Sequence, residues 1–577
     1  MVLAESTAFQ VTVQGSGNLL ERRNVAWYRV NRRNPQQLET LVFYEHENLQ
    51  KPAEIRVDAF FPGRAPWTAT RSAFKAERIR PAGLSIGTSG TILTAHVPRY
   101  EAGMLLRIET VDRYFHPEFL GREDLRGRFH CLRRVVSFRA PAGHSFRAAL
   151  RNGEALPVRA DTLASAGAVE IRFSAADLPK RVESRSPQDP GSWYAALHFS
   201  VPPRGLRSWT WSELGAHYLE MIGAEAAPES IKTVAARLGP AQDADSLADR
   251  AFRIVKSRIR YLADSRGMHG WVPRAPESVW GNGYGDCKEM ANVLRVLLAE
   301  RGMEGGLALV LSRAGTQLSE EFPSLDAFDH AIYWRRRKDG SIAYLDPTMP
   351  AGLGIDASHL RLLGRKTFLI IPGGSRIDTI RPAAANASRI TSVSRLAQAG
   401  GGWELTGSIG MKGAIAADVW LSLYFEPDPQ RARSAMESLL AERFRIRARD
   451  FSWTLPAADS VEIRYAADGS PMLVDGKFLN LDRPWLFDDG SGAETQEGER
   501  RIRPYAQRDE WIVPAGYARL ASRPLDAHEA SGKWARDGLL ARREFAVGKG
   551  AWPPGESPEW RSFKASLSRF IVAAACK

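Results

Sequence analysis

At 577 residues, with 44% hydrophobic and 25% charged side chains, the chain is too long for one ordinary core and too apolar for a disordered protein, and roughly 100–200 residues per domain predicts about three to five units. The net charge of +13 would suit an acidic partner, but the basic residues are scattered and the densest run, Arg335–Lys338, falls in a predicted turn, so nucleic-acid binding is not expected. Three cysteines, Cys131, Cys287 and Cys576, are odd in number and far apart, which argues against a disulfide framework and a cysteine metal site.

The first residues, Met-Val-Leu-Ala-Glu-Ser, lack the basic and then apolar pattern of a leader. That fits a cytoplasmic protein, or a periplasmic one whose leader has been removed. No uninterrupted apolar run reaches about 18 residues, so no transmembrane helix is expected. Residues 1–204 alternate short runs rich in Val, Ile, Phe, Tyr and Thr, such as Leu41–Tyr44, Ile55–Phe61, Ile92–Val97 and Leu105–Val111, with turn clusters at Gln14–Asn18 and Arg151–Gly153. This pattern predicts a β-sandwich.

From Trp209 the pattern turns helical. Helices are predicted at Ser212–Gly223, Ile231–Leu238 and Ser246–Tyr261, the last with Leu247, Phe252, Val255 and Ile259 on one face. A further helix begins at Cys287, where Met290, Val293, Leu294, Leu297 and Leu298 recur at 3,4 spacing and Gly302 supplies the stop. Asp286 is a good N-cap, which puts Cys287 in the first turn. Unpaired backbone N–H groups and the positive end of the helix dipole stabilise a thiolate there.

Strands follow at Leu307–Ser312, Ala327–Trp334, Ser341–Leu345 and Thr367–Ile371; helices before strands with little alternation predict an α+β unit. The second and third of these strands read as a hairpin. A five-residue loop at Arg336–Gly340 would set His330 directly opposite Asp346, with Cβ atoms roughly 4.5–5.5 Å apart, whereas a two-residue Asp339–Gly340 turn would misplace the pair. The longer loop is the expectation. One imidazole nitrogen would then meet a carboxylate while the other faces a thiol.

Pro372-Gly373-Gly374 and the Ala- and Ser-rich Pro382–Ser394 read as a boundary and linker. Beyond them the pattern predicts strands at Trp403–Gly413 and Val461–Tyr465 and a helix over Pro427–Arg449 with Met436, Leu439, Leu440 and Phe444 as its stripe. A polar loop at Asp488–Arg501 and a closing helix at Ser557–Ala575 complete the chain. No zinc helix, Cys-x-x-Cys pair, calcium loop, phosphate cradle or Gly-x-Ser-x-Gly elbow is present, so neither a metal nor a cofactor is expected. His269 and His359 have no evident partner.

Three segments in chain order, Gly285-Asp286-Cys287-Lys288, Phe328-Asp329-His330-Ala331-Ile332 and Leu345-Asp346-Pro347-Thr348, resemble the signature segments of the transglutaminase-like superfamily. The lead-in Ile259-Arg260-Tyr261 and Val272-Pro273-Arg274-Ala275-Pro276 is similar to that of bacterial members. Val97–Gly103 resembles the β-domain that often precedes such cores, and Trp511–Tyr517 resembles an element of the tail domain in the same bacterial proteins. The resemblance implies that Cys287 is a nucleophile, His330 its base and Asp346 the orienter of the imidazole. It also implies a papain-like core, and with it a multidomain α+β chain: an N-terminal β-sandwich at 1–204, the transglutaminase-like core at 205–374, and a C-terminal β-rich domain with a terminal helix at 375–577.

An isolated cysteine at a helix start is commonly a small packing residue, but three matched segments in order favour a triad. The function implied is acyl transfer through a thioester on a peptide or carboxamide bond, with water or an amine co-substrate as acceptor. Oxyanion stabilisation would use the Cys287 N–H and one upstream donor. Tyr261 is the candidate and Trp280 its rival, although core packing is the commoner role for both. A different reading takes the large share of the chain outside the core as its sign: an inactive binding scaffold for a protein or cell-envelope partner.

Overall fold

The computed structural model of the protein describes residues 1–480 and 500–552 apart from short segments, the longest being 181–194, together with 573–575. Period-two burial builds the first sheet. Phe9 and Val11 of Val2–Gln14, Leu20 of Gly17–Arg29, and Val136 and Phe138 of Cys131–Pro141 turn inward. The first two strands pair antiparallel, while Val2–Gln14 runs parallel to Cys131–Pro141. Eleven strands join this sheet, and a three-stranded sheet made from Arg122–Asp124, Arg147–Arg151 and Ala196–Ser200 accompanies it. Phe9, Phe138 and Phe199 pack where the two sheets meet, with centroids 4.9–5.1 Å apart. Strands Thr40–His46, Gln50–Phe60, Gly90–His96 and Leu105–Tyr114 of the large sheet line a separate core around Ile55, Val57, Leu93 and Leu106.

Five helices follow: α1 (Trp211–Ile222), α2 (Glu229–Arg237), α3 (Ala244–Arg258), α4 (Pro276–Asn282) and α5 (Cys287–Ala299). Thr210 and Glu213 form a capping box on α1, and Asp243 caps α3. The stripe expected on α5 is buried, but so are Lys288, Glu289, Ala291, Asn292 and Val296. A helix enclosed on nearly all sides is a central one, and α5 lies among α3, α4 and a five-stranded antiparallel sheet. That sheet is ordered Ile342–Leu345, His330–Arg336, Gly305–Val310, Lys366–Leu369, Arg376–Thr379.

Leu307, Leu309, Ala331 and Tyr333 of the sheet share a core with α5, while Ala308, Val310, Ile332 and Trp334 pack with Ala417 and Leu421 of the helix Ala414–Tyr424. Burial on both faces explains why these strands read as continuous apolar runs rather than alternating ones.

Strand residues far outnumber helical ones among the described residues, so the chain is mostly β and the α+β, papain-like class does not describe it. The helical stripe around Cys287 was a strong local signal, but periodicity identifies an element without weighing it against sheets of eleven and eight strands elsewhere. Of the expected linker, residues 382–387 lie outside the described residues, and the rest is sheet. Ser388–Ala399 is a strand of the eight-stranded sheet, parallel to Tyr505–Ile512 and antiparallel to Gly402–Lys412, and its inward Ile390, Ser392, Ser394 and Leu396 are buried.

The helix expected over Pro427–Arg449 ends early: Pro429–Ser438 is α-helical, Leu439–Arg443 forms one π-turn, and a strand starts at Ala448. The closing helix lies mostly outside the described residues, and its last three, Ala573–Ala575, are a strand paired with Phe478–Asn480. The polar loop at Asp488–Arg501 likewise lies outside them, apart from Arg500 and Arg501, which open a strand. The Arg335–Lys338 run is only partly a solvated turn. Arg335 is buried and paired with Asp245 at the start of α3, and Arg336 pairs with Glu304 at 2.8 Å. No helix among the described residues is long and apolar enough to cross a membrane.

Candidate active site

Cys287 is fixed by the residues on either side of it. Asp286 Oδ1 accepts from the Glu289 N–H at 3.3 Å, and Glu289 Oε2 accepts from the Asp286 N–H at 2.9 Å. This reciprocal box is legible as Asp-x-x-Glu, of which the sequence expectation used only the aspartate. Glu289 is fully buried and receives Arg274 in a two-pronged contact, Nε to Oε1 at 2.5 Å and Nη2 to Oε2 at 2.9 Å. Lys288 pairs with Asp286, both buried. Gly285 permits this crowding, because a Cβ there would stand 2.9 Å from Val279 Cγ1 and 3.0 Å from Glu289 Oε2. The Cys287 side chain itself is half-buried.

His330 opens its strand opposite Val310, and Asp346 follows the end of Ile342–Leu345. The hairpin between them has neither expected register. Trp334 pairs with Tyr344 and Arg336 with Ile342, and the Arg337 N–H donates to Ser341 O at 2.8 Å. The loop is therefore Lys338–Gly340, closed by the Gly340 N–H on Arg337 O at 2.9 Å with Gly340 at φ +83°. A three-residue loop ending in a left-handed glycine is a standard hairpin closure. It moves the pairing by two residues from the five-residue expectation, so His330 and Asp346 are diagonal rather than opposite. A two-residue shift keeps both on one face, where a one-residue shift would have turned one away. Diagonal neighbours remain within reach of longer side chains, and His330 Nε2 meets Asp346 Oδ2 at 2.8 Å.

With Nε2 occupied, Nδ1 is the nitrogen left to face the Cys287 thiol, which lies close enough to the ring to raise its pKa. Asp346 is held in turn: its Oδ1 accepts from the Thr348 N–H at 3.0 Å and Thr348 Oγ1 at 2.6 Å, and its N–H donates to Ser358 Oγ at 3.1 Å. Burial opposes a charged imidazole, but the Asp346 carboxylate and then the Cys287 thiol outweigh it and raise His330 well above its ordinary value. Burial likewise opposes the Asp346 charge, and His330 and Thr348 more than offset it, so that carboxyl is lowered.

Of the two oxyanion candidates, Tyr261 sits in a short strand parallel to Tyr284–Gly285, and its hydroxyl, pushed up first by burial, also feels the charges of Cys287 and Asp286. Trp280 lies on α4 with the Arg258 guanidinium 5.7 Å over its ring. Tyr218 of α1 was not singled out in the sequence. It is buried, donates to Trp271 O at 2.7 Å, and is likewise sensitive to charge on Cys287 and Asp286. No sequence signal marks it, because helix packing alone brings it into the core against which Cys287 packs. His359 is half-buried, and desolvation pushes it down to about 4; His269 is exposed. Among the described residues no group of three or more His, Cys, Asp or Glu side chains is placed to hold a metal ion.

No protein-family model matches the chain, and no curated protein does. A solved structure from Parabacteroides distasonis, described as a "putative protease", shares its fold along nearly the whole length. The two are 13% identical with a TM-score of 0.59, over 99% of this chain and 98% of the other.

The His330–Asp346 pair makes stability pH-dependent in a defined window. The raised His330 contributes stability that is fully present below about pH 6.5 and is lost as pH rises from there through its folded value. The lowered Asp346 contributes stability present above about pH 3.9 and lost as pH falls through its folded value. The difference in melting temperature between wild type and Asp346→Asn should therefore peak between about pH 4 and 6.5. A difference that does not vary with pH from 3 to 9 would show that the two groups are not coupled in the folded protein.

Proposed function

We propose that the protein is a transglutaminase-like cysteine acyl-transfer enzyme with Cys287 as nucleophile, His330 as its base and Asp346 as the orienter of the imidazole. The observation that carries this reading is the His330 Nε2–Asp346 Oδ2 contact at 2.8 Å on an imidazole whose pKa the nearby Cys287 thiol also raises, with that sulfur at a capped helix start. The Cys287 sulfur attacks a peptide or carboxamide carbonyl while His330 takes the thiol proton and passes it to the departing amine or ammonia, leaving a thioester. Water or an amine then attacks that carbonyl, gives its proton to His330, and releases the product as the sulfur leaves and recovers a proton. The Cys287 N–H and the Tyr261 hydroxyl are the donors assigned to the oxyanion. The description of the fold neighbour as a "putative protease" agrees with hydrolysis.

Selective labelling tests the pair. Cys131 is buried, and burial pushes its thiol up, whereas Cys287 is half-buried beside His330. Iodoacetamide at pH 6, with sites mapped by mass spectrometry, is expected to modify Cys287 well ahead of Cys131, and His330→Ala is expected to slow only the Cys287 reaction. Equal labelling, or indifference to His330→Ala, would falsify the activated pair. Peptide and labelled-amine libraries then distinguish hydrolysis from amide formation. A pull-down that captures one partner with both wild type and Cys287→Ala, with no turnover in either, would favour the inactive scaffold.

A further inference from the structure

The Cys287 side of the site and the segment that leads to His330 are both tied to one buried dipeptide far away in sequence. Glu118 and Phe119 lie in a short turn, Pro117–Phe119, directly after the N-terminal strand Leu105–Tyr114. The Glu118 carboxylate accepts from His116 Nδ1 at 3.0 Å and from His217 Nε2 of α1 at 3.4 Å. Glu220, also on α1, stands 3.9 Å from the other nitrogen of His217. The next residue on α1 is Tyr218, whose hydroxyl holds the Trp271 carbonyl, and the Trp271 ring is stacked on Phe119 at 4.6 Å. Glu118, His217, Tyr218, Trp271 and Phe119 thus close a ring of contacts, and Tyr218 and Phe119 belong to the same core against which Trp271 and Cys287 pack.

The backbone of the same residue serves the other half of the site. Glu118 O accepts from the Leu325 N–H at 3.0 Å and from Ser324 Oγ at 3.4 Å, five residues before His330. Close packing reinforces this tie, since a Cβ on Gly121 would stand 2.5 Å from Ser324 Cβ. Ser200 Oγ donates to Pro323 O at 2.7 Å beside it.

We propose that Glu118 is a positioning residue that sets the separation of Cys287 and His330, its carboxylate fixing the α1–Trp271 side and its carbonyl fixing the approach to His330. The inference rests on the Cys287–His330 reading above and adds a control point in the N-terminal strands. The charges agree with the geometry. Burial opposes ionisation of Glu118, but the two histidines lower it to about 2, and His217 is raised chiefly by its hydrogen bond to Glu118. A buried carboxylate that stays charged between two donors can hold its neighbours firmly.

The test is the pH profile of Cys287 alkylation, read by mass spectrometry on full-length wild type, His330→Ala, Glu118→Ala, Glu118→Gln and Tyr218→Phe, each kept below its melting temperature. Glu118→Ala should move the profile toward that of His330→Ala and lower the rate at pH 6 roughly ten- to hundredfold, as small misplacements at reacting pairs do. Glu118→Gln retains an acceptor oxygen and should recover most of the rate. Tyr218→Phe breaks the ring at another point and should shift the profile the same way by less, which decides the matter if Glu118→Ala does not fold. Coincident profiles for wild type and His330→Ala would remove the Cys–His reading itself. Profiles that differ between those two while folded Glu118→Ala, or Tyr218→Phe in its place, matches wild type would overturn the positioning role and leave the pair standing.

Discussion

Replacing Cys287 with alanine is expected to lower acyl-substrate turnover by about a millionfold, and replacing Asp346 with asparagine by up to about ten-thousandfold, each in a folded protein. The first figure follows from removal of the sulfur that the proposed mechanism assigns to the thioester. The second follows from the local geometry. Asp346 accepts from His330 Nε2 at 2.8 Å and is itself pinned by Thr348 and Ser358, so the carboxylate selects the tautomer with hydrogen on Nε2 and Nδ1 free for the thiol. An asparagine amide can donate to Nε2 instead, which reverses the tautomer and leaves Nδ1 protonated. Steady-state rates on one peptide substrate measure both effects. Retention of more than a tenth of the turnover in Cys287→Ala would end the covalent mechanism, and an Asp346→Asn rate near wild type would remove the orienting role.

The largest effect on stability should come from Arg274→Ala, about 3–5 kcal/mol, because it strands the Glu289 carboxylate in the interior. Glu289 is fully buried, Arg274 grips both of its oxygens, and burial alone would raise its pKa were the guanidinium not there to lower it. Glu289 also returns to the Asp286 N–H, so its displacement would loosen the turn that carries Cys287. The double variant Arg274→Met, Glu289→Met removes both charges and should recover a large part of the loss, less about 1 kcal/mol for the missing cap. Denaturant midpoints of the single and double variants read this coupling. A loss under about 1 kcal/mol in Arg274→Ala would mean that water reaches Glu289 and that the pair has little part in holding the helix start.

What could be read from sequence lies within a few residues along the chain. The start of α5 is an example: Asp286 and Glu289 satisfy one another within a single helical turn, so the position of Cys287 was legible without any tertiary knowledge. The His330 and Asp346 strands were legible for a similar reason, since apolar runs bounded by Asp339-Gly340 mark a hairpin. Its register was not, because loops of two, three and five residues are all compatible with that stretch and the choice depends on pairing across the sheet. The His330–Asp346 contact survived the error because an even shift preserves the face of a strand.

The mostly β character of the whole chain, the conversion of Ser388–Ser394 from expected linker to sheet, and the burial of Arg335 against Asp245 were decided by tertiary pairing. So was the ring around Glu118, which joins residues 99 positions apart. Local hydrogen bonds and periodicity are encoded by neighbours. The buried Glu118 carboxylate and the distant His217 are brought together only by packing of the N-terminal strands against α1, and no pattern in the sequence of either segment names the other.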